Sequence, residues 1–206
     1  MEVPVRDRRA LDEAQAHIRD IDTEGELPLA VRRRLRETLV ALLPSDGSAL
    51  TFVAVLGLVC AKRAWPVWRT AFPTESRPMD LAEMAVSSAR ERSTSGAWGG
   101  SELMKIKTYL DNKFLLDKKY FPAIYAGFTS WAVTRDVLSW DYPKVTREDT
   151  ELKISPDEWD PCFLASLAIT GGATWEGIGR SDIRREFWYW YLTIAVPEAF
   201  TAAVER

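Results

Sequence analysis

Histidine occurs once in this chain of 206 residues and cysteine only twice. A single imidazole leaves almost no room for a His-based metal site or a catalytic triad. Cys60 and Cys162 sit in apolar sequence, so two buried thiols in a reducing compartment are expected, with a disulfide or metal pair as the alternative. Strand signals are equally scarce, because no alternation of β-branched residues persists beyond a few positions. The longest apolar run, residues 49–61, is interrupted only by Thr51 and falls short of the ~20 residues that cross a bilayer. It reads as a buried core helix, and no membrane association is expected. The first twenty residues are charged and lack an apolar stretch, which excludes a signal peptide there and points to the cytoplasm. A net charge of -3 provides no broad basic field for nucleic acid. Gly-x-Ser-x-Gly is absent, and Gly96, Gly99 and Gly100 around Trp98 match neither a P-loop nor a dinucleotide fingerprint. No cofactor is expected.

What the chain does have is apolar and aromatic mass. Apolar residues make up 47% and Trp occurs nine times, ample for a sizeable core in a single domain. Apolar residues recur at helical spacing in one segment after another. A polar first helix over residues 6–21 carries Leu11, Ala14, Ile18 and Ile21 on one side. After Pro28, the residues Val31, Leu35, Leu39, Leu42 and Leu43 form a stripe, with Arg32, Arg33, Arg34 and Arg36 opposite as a solvated basic face. Ser45 or Asp46 caps the apolar helix, which should end near Ala64 or kink at Trp65-Pro66. Further helices are expected over residues 78–92 (Leu81, Met84, Ala85 and Ala89 inward), 101–118, 120–140 and 157–170. A last helix is capped by Ser181 or Asp182 and kinked at Pro197. Gly171-Gly172 can end the helix before it through a left-handed cap. Residues 141–156 read as a polar surface connection. The sum is an all-α, single-domain, bundle-like array of about seven or eight helices. Residues 1–43 form an N-terminal helical segment of unassigned membership, and residues 44–206 the main helical domain.

Candidate sites compete with structural roles. Glu176 beside Trp175, with Tyr125, Trp131 and Asp160 nearby, would make a desolvated general acid. The same carboxylate after a Gly-Gly turn can instead cap backbone amides or pair with Arg180 or Arg184. Asp157, Asp160 and Glu176 are a conceivable metal set without a matching loop motif. The 157–160 run otherwise reads as a helix-capping segment. Ser95, Ser101 and Ser166 offer hydroxyls without a nucleophile motif. Arg184 and Arg185 precede five consecutive aromatics, Phe187-Trp188-Tyr189-Trp190-Tyr191. At about 100° per residue these encircle a helix, so the helix is either covered on all sides or presents aromatic surface.

Two segments are similar to bacterial immunity proteins of polymorphic toxin systems. One is Trp65-Pro-Val-Trp-Arg-Thr-Ala-Phe-Pro, followed by Pro78 and a helix. The other runs from Trp159-Asp160 through Ala165-Ser166-Leu-Ala and Gly171-Gly172-Ala-Thr-Trp175-Glu176 to Arg184-Arg-Glu-Phe187-Trp188-Tyr-Trp190-Tyr-Leu192 and Pro197. The resemblance implies a predominantly helical protein that binds the toxin encoded beside it, with no catalytic residues and no metal. The motif residues Trp65, Trp159, Asp160, Gly171, Gly172, Trp175, Glu176, Arg184, Phe187, Trp188 and Trp190 are expected to hold the scaffold. Toxin contact is expected from idiosyncratic loops, with Trp98, Glu148, Asp149 and Glu151 as partner-binding residues. An acidic patch of this kind suits a toxin with a basic cleft. A small helical enzyme using Glu176, and a ligand-binding domain whose pocket is lined by Trp188 and Trp190, stand as the alternatives.

Overall fold

A computed structural model describes residues 5–91, 99–139, 150–177 and 180–204. Nine α-helices occur among them: α1 (Val5–Ala16), α2 (Leu29–Leu42), α3 (Asp46–Ala71), α4 (Arg77–Glu91), α5 (Gly99–Lys113), α6 (Phe121–Ser139), α7 (Pro161–Thr170), α8 (Ser181–Trp190) and α9 (Val196–Val204). Short 3-10 turns join several of them, and a π turn, Tyr191–Ala195, links α8 and α9 into one continuous rod. The fold is all-α, as the periodicity predicts.

α3 is the centre. It packs against α4, α6, α7 and α9. Ser45 caps it by accepting from the Ser48 amide at 3.2 Å. By length and composition α3 would also suit a bilayer, yet 56% of its most apolar window is buried inside this fold. The helix does not stop near Ala64 but runs through Pro66 to Ala71. Pro66 and Lys62, whose carbonyl is left without its helical donor, are both exposed residues. Beyond it, Trp68 is fully buried, stacks on Trp65 at 5.8 Å and donates its indole N–H to the Glu75 carbonyl at 2.7 Å. Packing of that indole carries the helix past the proline.

α6 is buried from Ala123 to Thr134. Gly127 sets its distance from its neighbours, since a Cβ there would lie 2.6 Å from both Trp68 and Leu110. α4 turns Leu81, Ala85 and Ala89 inward as expected, but Met84 is 54% exposed. α5 ends at Lys113, short of the expected Lys118. α7 begins where Asp160 accepts from the Phe163 amide at 2.8 Å, with Pro161 in the first turn. It ends at Gly171, whose φ of 90° is the left-handed cap read from the sequence. Ser181 and Asp182 lie inside α8 and do not cap it. In place of the kink expected at Pro197, a π turn stands just ahead of it and the rod continues. Pro197 cannot donate to the Thr193 carbonyl, and the wider turn gives its ring room.

The N-terminal helices are tied to the C-terminal ones. α1 packs on α9. Gly25, at φ 78°, presses so close to α8 that a Cβ would fall 2.3 Å from the Ser181 carbonyl oxygen. Cys60 and Cys162 are both buried free thiols, and burial beside the Cys162 sulfur pushes the Cys60 thiol well up.

Candidate functional site

The charged residues nearest the expected motifs divide into an interior cluster and an exposed edge. The interior cluster is built on α2. Arg32 and Arg36 are buried, contrary to their expected place on a solvated basic face, while Arg34 is exposed. Arg32 stands three residues from Leu29 and three from Leu35, both buried, so it shares their face. Its guanidinium reaches Glu151 at 2.7 Å and Asp160 at 2.9 Å, and lies 5.1 Å from the Phe163 ring and 5.0 Å from the Trp188 ring. Burial alone would raise the Asp160 carboxyl, but Arg32, Arg36 and the Phe163 amide together hold it down at about 2.

Arg184 extends the cluster. It donates to the Gly172 carbonyl at 2.9 Å and to the Glu24 carbonyl at 3.2 Å, and its Nε stands 3.4 Å from Glu26. Glu26 also faces Arg32 at 3.8 Å. Burial outweighs both cations here and pushes its carboxyl up to about 7. Three carboxylates and two arginines thereby join the turn before α2, the segment before α7 and the start of α8.

The exposed edge lies on the far side of Phe163. Trp175 stacks on that ring at 5.9 Å and meets Trp159 edge-on at 6.1 Å, yet remains 41% exposed. Glu176 is also exposed, so the desolvated general acid is not what forms. Its carboxylate accepts from the Ala173 amide at 2.8 Å, the amide-capping role weighed above, and from the Tyr125 hydroxyl at 3.3 Å. Burial, then the Glu176 charge, raises that phenol to about 12, so it stays a donor. Asp160 is turned inward to Arg32, away from any metal-binding set with Asp157 and Glu176. Among the described residues no group of three His, Cys, Asp or Glu side chains is placed so that it could hold a metal ion.

A family model, immunity protein Imm5, matches residues 12–198. The chain belongs to the Imm5 immunity protein family. No curated protein matches it. Imm5 membership suggests an immunity function and a role other than catalysis.

Within this Imm5 fold the expected scaffold residues have different environments. Phe187 and Trp188 are fully buried and Trp190 is half-buried under the Arg63 guanidinium, 4.3 Å from its ring. The five-aromatic run thus resolves into a covered side and an open one, with Tyr189 54% exposed. Trp65, Trp159, Gly171 and Gly172 each serve the helix packing, capping or bonding described above. Of the expected partner-binding residues, Trp98, Glu148 and Asp149 lie outside the described residues. Glu151 is 8% exposed and paired with Arg32, a place in the interior and not on a contact surface. Sequence reading missed Arg32 as its partner because the two stand 119 residues apart.

Proposed function

We propose that this Imm5 protein binds a cognate protein toxin encoded beside it and neutralises the toxin by forming a stoichiometric complex in the cytoplasm of the producing cell. The observation that carries this reading is the family match across residues 12–198. The physical picture agrees with it. The buried carboxylates are met by arginines and so serve cohesion, while the exposed aromatic and acidic groups are available to a partner. Inhibition would follow from covering the toxin's active site or fixing an inactive conformation of it, and neither route requires a nucleophile, a metal or a cofactor here.

Co-expression with the product of the neighbouring gene tests the proposal. Growth rescue together with an equimolar complex on purification is the expected result. A harmless neighbour that forms no complex overturns it.

A further inference from the structure

Two nucleophilic side chains of the interior belong neither to the arginine cluster nor to the exposed edge. Cys60 stands on α3 and Cys162 in the first turn of α7, and both are free thiols, 0% and 1% exposed. The two helices pack on each other. Gly57 brings them close, since a Cβ there would lie 3.3 Å from Cγ of Pro161. Cys60 follows Gly57 by about one helical turn and Cys162 follows Pro161 directly, so both thiols stand at this crossing. Their side chains are in hydrogen-bonding contact.

Arg36, Asp160 and Tyr191 lie close enough for their charges to act on the pair. Burial first, and then the Cys162 sulfur, push the Cys60 thiol well up, so it stays protonated and reacts slowly. A lone buried thiol in that state is a packing residue. A buried pair in contact has a further property, because the second sulfur can resolve a sulfenic acid on the first before it goes on to the irreversible acids.

We propose that Cys60 and Cys162 are an oxidation site, which a hydroperoxide converts to a disulfide that staples the first turn of α7 to the central helix. One thiol takes an oxygen from hydrogen peroxide as the O–O bond breaks, giving a sulfenic acid and a water. The other sulfur then attacks the sulfenic sulfur, and its proton leaves with the displaced hydroxyl as a second water. Two thiols and one peroxide thus give one disulfide and two waters, and the two electrons that sulfur loses reduce the peroxide oxygens. Rotation about the Cα–Cβ bonds carries sulfurs already in contact to bonding distance. The new bond closes a loop of about a hundred residues, a length at which cross-linking restricts the unfolded chain strongly. Burial makes the change slow in both directions, since oxidant and reductant alike reach the pair only when α7 opens from α3. No toxin is needed for it.

The test treats the full chain with hydrogen peroxide and then alkylates the remaining thiols under denaturing conditions. A monomer lighter by two hydrogens that takes up no alkyl group is expected, with the peptides of Cys60 and Cys162 joined in a non-reduced digest. Its melting temperature should lie about 5–10 °C above that of the reduced chain and return with dithiothreitol. Cys60→Ala and Cys162→Ala should each form no internal link and gain nothing on oxidation. The joined peptide is read from the unmodified chain and does not depend on any variant folding. Both thiols still alkylated after peroxide, oxygen added to either sulfur as a terminal acid, or linked dimers in place of the internal bond each overturn the site. An internal disulfide with the melting temperature unchanged or lowered overturns the staple.

Discussion

Asp160 and Glu176 are both carboxylates within a short reach of the Phe163–Trp175 stack, but they face opposite ways. Asp160 is buried against Arg32 and caps α7; Glu176 is exposed and has only neutral donors. Both lie in the C-terminal segment that resembles immunity proteins, so resemblance alone does not separate residues that hold the fold from those open to a partner. Burial and the presence or absence of an arginine do. Removing a partner inside the cluster strands a charge away from water, which is costly. Removing a group at the edge returns surface to solvent and costs the fold little.

The largest effect should come from the centre of the cluster. Arg32→Met leaves Glu26, Glu151 and Asp160 without their shared cation and is expected to cost ~3–5 kcal/mol in urea unfolding. A loss under ~1 kcal/mol would mean that the buried charges do not govern stability, and the comparison would collapse. Glu151→Ala leaves Arg32 with Asp160 and Glu26, so a smaller loss of ~1–3 kcal/mol is expected. It should be visible in the protein alone, without toxin. A stability unchanged by Glu151→Ala would return that residue to the surface role the sequence suggested.

Acid titration sharpens the contrast further, because the cluster holds two carboxylates shifted in opposite directions. Asp160 sits at about 2 against an ordinary 3.8, so its contribution is present above that ordinary value and fades as pH falls toward 2. Glu26 sits at about 7 against an ordinary 4.5. Between those values the folded protein keeps a proton that the unfolded chain has released, so stability falls as pH rises through the window and levels above it. Unfolding free energy should therefore peak on the acid side of neutrality. Glu26→Gln should flatten the decline between pH 4.5 and 7, and a decline of unchanged slope would reject Glu26 as its source. The smallest effect belongs to the edge, where Glu176→Gln keeps an acceptor for the Ala173 amide and the Tyr125 hydroxyl and should change stability by under ~1 kcal/mol. A larger drop would make the Glu176 charge part of the scaffold.

The helices were legible because their signals are local. Apolar spacing located α3, α4 and α6, and Gly171 marks the end of α7, whose start lies at Pro161 and not at the expected residue 157 because Pro156–Glu158 forms a separate 3-10 turn. The charged cluster was not legible for the opposite reason. Asp160 lies 128 residues from Arg32, and a four-arginine stretch looks like a solvated face until its partners are in place. The one local hint was the register of Arg32 with Leu29 and Leu35. The extension of α3 past Pro66 was likewise set by a tertiary contact, the packing of the Trp68 indole against Tyr109 of α5 and Gly127 of α6. Glu176 was placed correctly as a cap of nearby backbone but wrongly as buried, because nothing in the Gly-Gly turn tells how far the following residues stand from the core.

The π turn between α8 and α9 has a consequence in phase. The buried residues Phe187, Tyr191, Ala195, Ala199 and Ala203 recur every fourth position, as do Trp188, Leu192, Val196 and Phe200. On a regular α-helix each such step overshoots a full turn by about 40°, and four steps would swing the stripe roughly 160° around the rod. Its far end would point at solvent. A turn closed across five residues takes up one extra residue, about 100° of that drift, and so acts as a vernier that brings the stripe back into alignment with the core. The wide turn is where the rod's own pitch and the spacing written into its sequence are reconciled.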